Sequence, residues 1–341
     1  PRRGSERAES TYSCKNTYNP QSIACHAILG IKKQRVEPFV KGVTMQHEIT
    51  ESGPLLDKQG SPAQAGYARK LLPVYDRNAI RASKLHIKEW DYYFISNGSV
   101  GLALTISDNG YLGMMSASLL DFTGGVQTTK SVMVPFTMGK LKLPASSLEG
   151  QSIFKNKKCE FSFEVQKDQS RVLHCRMDDF KDGKSLSADI RLRDVPEESM
   201  VIVVPFPKKK TAFYYNQKIN CMRAEGTIDM GDTHYEFKAS DSFGVLDWGR
   251  GVWTYDNTWY WSSASGLIDG KCFGFNLGYG FGDTSAATEN MLFYEGRAHK
   301  LDQVRFAIPT NHQEQDDYMS AWTFSSSDGR FEARLNRLWI E

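Results

Sequence analysis

The chain has 341 residues, 40% of them apolar, and its 42 basic and 40 acidic side chains leave a formal net charge of +2. This is enough length and apolar content for a large core, and two ordinary β domains is the expected arrangement. Near-balanced charge spread along the sequence leaves no electrostatic footprint for nucleic acid or an anionic membrane.

Residues 1–52 are polar and irregular, with no sustained period, and read as an extended arm that lies on a partner or along the body. Arg2, Arg3 and Arg7 with Ser5 and Ser10 fit a processed targeting segment or an ordinary polar terminus. Leu55-Leu56-Asp57 followed by Gly60, Pro62 and Gly66 opens the folded region with turn chemistry. Ala65 to Leu72 is the one stretch with a helical pattern.

Short segments then alternate with turn signals: Glu89 to Ser96, Val100 to Ser107, Tyr111 to Leu120, Gln127 to Met138, Cys159 to Val165, Arg171 to Met177 and Ser187 to Leu192. Asn97-Gly98, Asp108-Asn109-Gly110 and Asp182-Gly183 are hairpin connectors that accept positive φ. Beyond Asp194-Val195-Pro196 a second series runs through Met200 to Pro205, Thr211 to Gln217, Met222 to Ile228, His234 to Lys238, Trp253 to Ser262, Cys272 to Tyr279, Glu289 to Tyr294, Ala298 to Phe306, Ser320 to Ser325 and Arg330 to Leu338. Short strands at this spacing mean a sandwich or barrel. The expected division is an arm over 1–52, one β domain over 53–196 and a second over 197–341.

The longest apolar runs, such as Met200 to Phe206, fall far short of the ~18 residues that span a bilayer. Six cysteines, Cys14, Cys25, Cys159, Cys175, Cys221 and Cys272, lie apart without metal-ligand spacing. No metal or cofactor is expected, and reduced thiols in an intracellular compartment, cytoplasmic or mitochondrial, are.

Function should lie between Phe243 and Tyr294, where 13 of 52 residues are aromatic and four of the seven tryptophans gather. Along Trp253 to Trp261, positions 253, 255, 259 and 261 put aromatic rings on one face of a strand. Along Cys272 to Gly280 alternate positions give Cys, Gly, Asn, Gly and Gly, which read equally as ligand space or as plain bends. Asp247, Arg250, Asp256, Asp283 and Glu289 are the charges in this apolar stretch. Each carboxylate is either a desolvated proton donor or half of an ion pair that satisfies burial. The sequence holds no GxSxG, phosphate loop or HExxH, so hydrolase, nucleotide and zincin readings have no support. His86, His174 and His234 lack partners at ligand spacing and read as structural.

The stretches Gly66-Tyr67-Ala68-Arg69, Ile87-Lys88-Glu89-Trp90-Asp91-Tyr92-Tyr93, Phe213 to Met222, Leu246 to Trp253 and Gly282 to Asn290 resemble the family catalogued as domain of unknown function 2804, over about residues 53 to 335. More distantly, Glu89-Trp90-Asp91-Tyr92 and Leu246-Asp247-Trp248-Gly249 are similar to motifs of the AttH-like and carotenoid hydratase superfamily. That resemblance implies an all-β fold of two lipocalin-like antiparallel barrel or sandwich domains, and cofactor-independent chemistry on apolar substrates.

The leading expectation is an aromatic pocket for an apolar, amphipathic or lipid-like small molecule. Asp247, Arg250, Asp283 and Glu289 are its catalytic candidates, with Asp247 or Asp283 as acid and Arg250 orienting it. Trp248, Trp253, Tyr255, Trp259, Trp261, Asn276 and Tyr279 are the ligand-binding candidates. The alternatives are a carrier without catalysis, and a structural subunit of a larger assembly, with the mitochondrion as its candidate compartment, whose protein partners bind residues 1–52.

Overall fold

The computed structural model describes residues 46–254, 257 and 259–335, together with the backbone of residues 24–30. Among the described residues the one helical piece is a single 3₁₀ turn, Arg77–Ala79, and nearly everything else that is regular is strand. The helix candidate between Ala65 and Leu72 holds a strand instead, Gly66–Ala68, buried and paired with Met200–Phe206. A Cβ on Gly66 would lie 2.5 Å from the His47 carbonyl, so tertiary pairing overrides the local helical pattern.

The largest sheet lays ten antiparallel strands side by side in the order Val126–Pro135, Leu112–Asp121, Val100–Asp108, Lys88–Ser96, Phe243–Val252, Lys209–Met230, Lys184–Arg193, Arg171–Lys181, Cys159–Val165 and Gln151–Lys155. It curls on itself: Lys130, on the first of these strands, donates to Asp179 Oδ2 at 2.8 Å on Arg171–Lys181. The concave side is packed solid with Ile95, Leu102, Leu104, Phe161, Phe163, Leu173, Leu186, Phe213 and Trp248 among others. Each such side chain contributes about 1.5–3 kcal/mol by leaving water. Residue 197, the expected domain boundary, falls between Lys184–Arg193 and Met200–Phe206, and the sheet draws strands from both sides of it.

A second sheet has the order Ala24–Gly30, Trp259–Ile268, Lys271–Tyr279, Met291–Tyr294 and Arg297–Lys300. One face lies against the outside of the curled sheet. The other is covered by the hairpins of Val304–Ala307, Trp322–Ser326 and Glu332–Leu335, through a cluster that includes Tyr260, Phe275, Leu277, Phe306 and Trp322. Of the expected arm, Ala24–Gly30 forms the outermost strand, with Ala24 opposite Ser265 and Gly30 opposite Trp259. Farther along, His47 N donates to the Ala286 carbonyl at 2.8 Å and Ile49 is buried. The rest of residues 1–45 lies outside the described residues.

The two strands expected at Thr211 to Gln217 and Met222 to Ile228 are one, Lys209–Met230, interrupted by a bulge between Ile219 and Met222. Cys221 takes φ 66° there. The extra residue keeps Ile219 and Met222 both in the barrel core and turns Asn220 toward the second sheet. Asn220 Nδ2 donates to Ser263 Oγ at 2.7 Å and to the carbonyls of Ala264 and Phe275 at 3.2 Å, while Cys221 N donates to Ser265 Oγ at 3.0 Å.

Phe243–Val252 is central to the large sheet, yet its sequence was not among the expected strands. Two glycines break its apolar alternation for reasons of space. A Cβ on Gly249 would sit 2.0 Å from the Trp90 indole, and one on Gly251 would sit 2.4 Å from the Phe213 carbonyl.

Asn220 is the polar joint between the sheets. Asn220→Ala should therefore lower unfolding stability in urea by about 1–3 kcal/mol, the cost of leaving buried acceptors without a donor. A variant as stable as the parent would remove this joint from the account of the fold.

Candidate functional site

Between the convex face of the large sheet and the second sheet lies a cavity of about 400 Å³. Strand alternation decides who faces it. On Lys88–Ser96 it is Trp90 and Tyr92, on Lys209–Met230 Tyr214 and Lys218, and on Phe243–Val252 Asp247. Trp253, Trp259, Trp261, Gly278, Tyr279, Phe281 and Glu289 close the opposite wall. Trp259 and Tyr279, at 38% and 41% exposure, mark its mouth.

The walls are bound by edge-to-face aromatic contacts. Phe281 meets Tyr214, Trp253 and Trp259 with ring centroids 4.8, 5.5 and 5.5 Å apart, and Trp90 meets Trp253 at 5.4 Å. Such pairs add about 0.5–1.5 kcal/mol each beyond burial.

At the inner end three charges converge. Lys218, 2% exposed, places Nζ 2.8 Å from Asp247 Oδ2, 3.7 Å from Glu289 Oε2 and 4.8 Å from the centre of the Trp261 ring, and donates to Asn216 Oδ1 at 3.0 Å. Asp247 Oδ1 accepts from Trp90 Nε1 at 3.1 Å and Asn216 Nδ2 at 2.6 Å. Every polar partner of Asp247 named here is a donor, so it is occupied as an acceptor. Burial raises the pKa of Glu289 above the ordinary glutamate value; Lys218 opposes the rise, Asp247 adds to it, and hydrogen bonds from Tyr214 and Asn276 oppose it.

Glu289 is held from behind. Asn276 Nδ2 donates to the Glu289 carbonyl at 2.8 Å, and Asn276 Oδ1 accepts from Trp261 Nε1 at 2.6 Å, so one buried amide aligns a wall residue and the acid. Gly278 leaves room for the Glu289 side chain, since a Cβ there would lie 2.6 Å from Glu289 Cβ. Gly274 likewise yields to Cys221, whose Sγ would be 2.6 Å from an added Cβ. Neither plain bends nor ligand space explains these two glycines; the protein's own atoms fill the space beside them.

Of the four catalytic candidates, the structure brings Asp247 and Glu289 together and separates the other two. Arg250 projects from the opposite face of its strand into the barrel, because an odd offset from Asp247 reverses the side. There it pairs with Asp91 Oδ1 at 3.1 Å, donates to the carbonyls of Trp90, Gly249 and Pro144 at 2.8, 2.8 and 2.7 Å, and lies 4.2 Å over the Trp248 ring. Trp248 is in the barrel core with it, edge-to-face with Tyr215 at 5.3 Å. Asp283 sits in the loop beyond the wall, with its carboxylate accepting from Ser285 N at 3.0 Å and its own N–H donating to the Pro205 carbonyl at 2.9 Å. Trp253, Trp259, Trp261 and Tyr279 line the cavity, Asn276 supports it from behind, and Tyr255 and Asp256 lie outside the described residues. Trp253 lies beyond the end of Phe243–Val252, and the next strand starts only at Trp259.

Lys218, Asn216, Tyr214, Trp90 and Tyr92 were not among the candidates, although they form half the site. The signal available for them was their place in the two stretches that carry the family resemblance, Ile87 to Tyr93 and Phe213 to Met222. Among the described residues no three His, Cys, Asp or Glu side chains gather as a metal site.

Among solved structures the chain is similar to a Nitrosomonas europaea protein assigned as AttH, at 14% identity and a TM-score of 0.53, over 85% of this chain and 88% of that one. It is also similar to kievitone hydratase of Nectria haematococca, at 10% identity and a TM-score of 0.48, over 85% and 87% of the two chains. The likeness to AttH is one of fold, and the architecture is all-β and lipocalin-like. No protein of curated function matches the sequence. A family model matches residues 46–336, and the chain therefore belongs to the family described as domain of unknown function 2804.

Proposed function

We propose that the cavity receives an apolar or amphipathic small molecule and that Glu289 passes it a proton, making the chain an acid catalyst of the isomerase, hydratase or cyclase kind. The observation that carries this reading is the convergence of Asp247, Lys218 and Glu289 at the end of an aromatic cavity. Structural ion pairs are common, but this one faces an open, ligand-sized space instead of packed core.

The chemistry follows from the partners. Glu289, whose burial favours the protonated form, gives its proton to a ligand double bond, forming a C–H bond and a carbocation. The Glu289 carboxylate left behind and the face of Trp259 stabilise that cation. Loss of a proton from a neighbouring carbon to the Glu289 carboxylate completes an isomerisation. Capture of the cation by water, with the water's proton returning to Glu289, completes a hydration. Asp247 and Lys218 keep the carboxyl in place and hold the local charge in balance.

Native mass spectrometry of the purified full chain should show a bound small molecule. After incubation in deuterated water that ligand should carry carbon-bound deuterium. Glu289→Gln should keep the ligand but slow the labelling by about a hundredfold to ten-thousandfold, the usual worth of a general acid. Bound ligand that never takes up deuterium from the parent protein would reduce the chain to a carrier.

The raised Glu289 pKa also sets a stability trend. A group whose folded pKa lies above its unfolded one contributes stability below the unfolded value and loses it as pH rises through the folded value. Glu289→Gln should thus melt higher than the parent at alkaline pH, with the difference shrinking as pH falls and vanishing well below about pH 4, where glutamate is protonated in both states. A variant less stable than the parent across the whole range would show that ionised Glu289 is favoured by the fold.

A further inference from the structure

The charges at the inner end of the cavity discriminate among ligands. Among the described residues that line it, Lys218 is the only basic side chain, against two acids, Asp247 and Glu289. Its ammonium is committed: Asp247 Oδ2 at 2.8 Å, Asn216 Oδ1 at 3.0 Å and Glu289 Oε2 at 3.7 Å surround it, and the Trp261 ring lies 4.8 Å away. A ligand carboxylate would have to compete with both protein carboxyl groups for this cation.

Lys88 is engaged elsewhere. It donates to the Asn109 carbonyl at 3.1 Å and lies over the rings of Tyr111 at 4.6 Å and Trp253 at 5.9 Å. Two of the aromatic faces that would attract a ligand cation, Trp261 and Trp253, thus already carry ammonium groups of the protein.

Neutral polar groups are supplied at a different place. Thr105, Ser107 and Asn109 follow one another at alternate positions along Val100–Asp108 and its turn, and all three line the cavity. The bonds within this strip are long: Asn109 Nδ2 donates to Ser107 Oγ at 3.3 Å, and Ser107 Oγ to the Met114 carbonyl at 3.3 Å. Such bonds exchange readily for a hydroxyl or carbonyl of a ligand.

Resting on the proposed ligand-binding reading of this cavity, we infer that it selects an uncharged molecule bearing a hydroxyl or carbonyl group. It rejects both carboxylate amphiphiles, free fatty acids included, and amines. An anion would enter a largely apolar space beside the Asp247 carboxylate and the Glu289 carboxyl with no uncommitted cation to pair with, and a cation would displace or face Lys218.

Three probes with one ring system test this on the full chain: naphthalenemethanol, naphthoate and naphthalenemethylamine, titrated near neutral pH and followed by quenching of the cavity tryptophans. The alcohol should bind at least about tenfold tighter than either charged probe. In Asp247→Asn combined with Glu289→Gln, Lys218 loses both acidic partners, and the ratio of naphthoate to alcohol affinity should rise at least about tenfold. Naphthoate or the amine binding as tightly as the alcohol would overturn the inference and leave the cavity reading intact. Failure of all three probes to bind would overturn the cavity reading and the inference with it. Should the double variant not fold, the ranking on the parent protein decides alone.

Discussion

The bulge at Asn220 and Cys221 is the constraint on which the arrangement turns. A single 22-residue strand, Lys209–Met230, belongs to the barrel along its whole length and must also dock a second sheet on its outer side. A regular strand offers alternate residues to each face and no surplus. One extra residue supplies the surplus, and Asn220 spends it on three bonds into Trp259–Ile268 and Lys271–Tyr279. Those bonds fix where the second sheet stands. They lie two residues from Lys218, so the joint that holds the sheets together also sets the depth of the cavity between them.

Barrel and site divide the labour cleanly. The concave face is filled, and there the Arg250 and Asp91 charges meet each other and backbone carbonyls, while Arg250 Nε is buried without a hydrogen-bond partner. The pocket beside Asp91 and Trp248 holds only about 20 Å³. The convex face, which a small β protein would normally give to water, carries the ion pair and the aromatic wall. The candidate site thus lies on the outside of the barrel, where the second sheet provides the cover that low dielectric requires.

The sequence showed most of the strands, because turn signals bracket them and tertiary contacts agree with local preference. Cys159 to Val165, for example, has the limits read from its pattern. Where the reading broke, the chain was doing something besides forming sheet. The gap between Thr211 to Gln217 and Met222 to Ile228 is Lys218 to Cys221, the buried cation and the bulge. Phe243–Val252 lacks a clean alternating pattern because Gly249 and Gly251 interrupt it to admit Trp90 and the Phe213 backbone. Glu289 and Asp247 could be picked out as charges in apolar surroundings, but Arg250 has the same signature and serves the core. Composition shows that a charge is buried; only strand parity shows on which side, and parity could not be set for a strand that had not been recognised.

Ala24–Gly30 lies outside the region matched by the family, 46–336, yet it covers the outer edge of the strand that carries Trp259 and Trp261. An uncovered strand edge is a template for any extended chain that meets it, and tryptophans beside such an edge strengthen the attraction. A protein cut to the family limits would present that edge to its neighbours in solution. The short segment, by covering that edge, therefore guards against self-association as much as it extends the second sheet, and family boundaries are a poor guide to where this molecule can be trimmed.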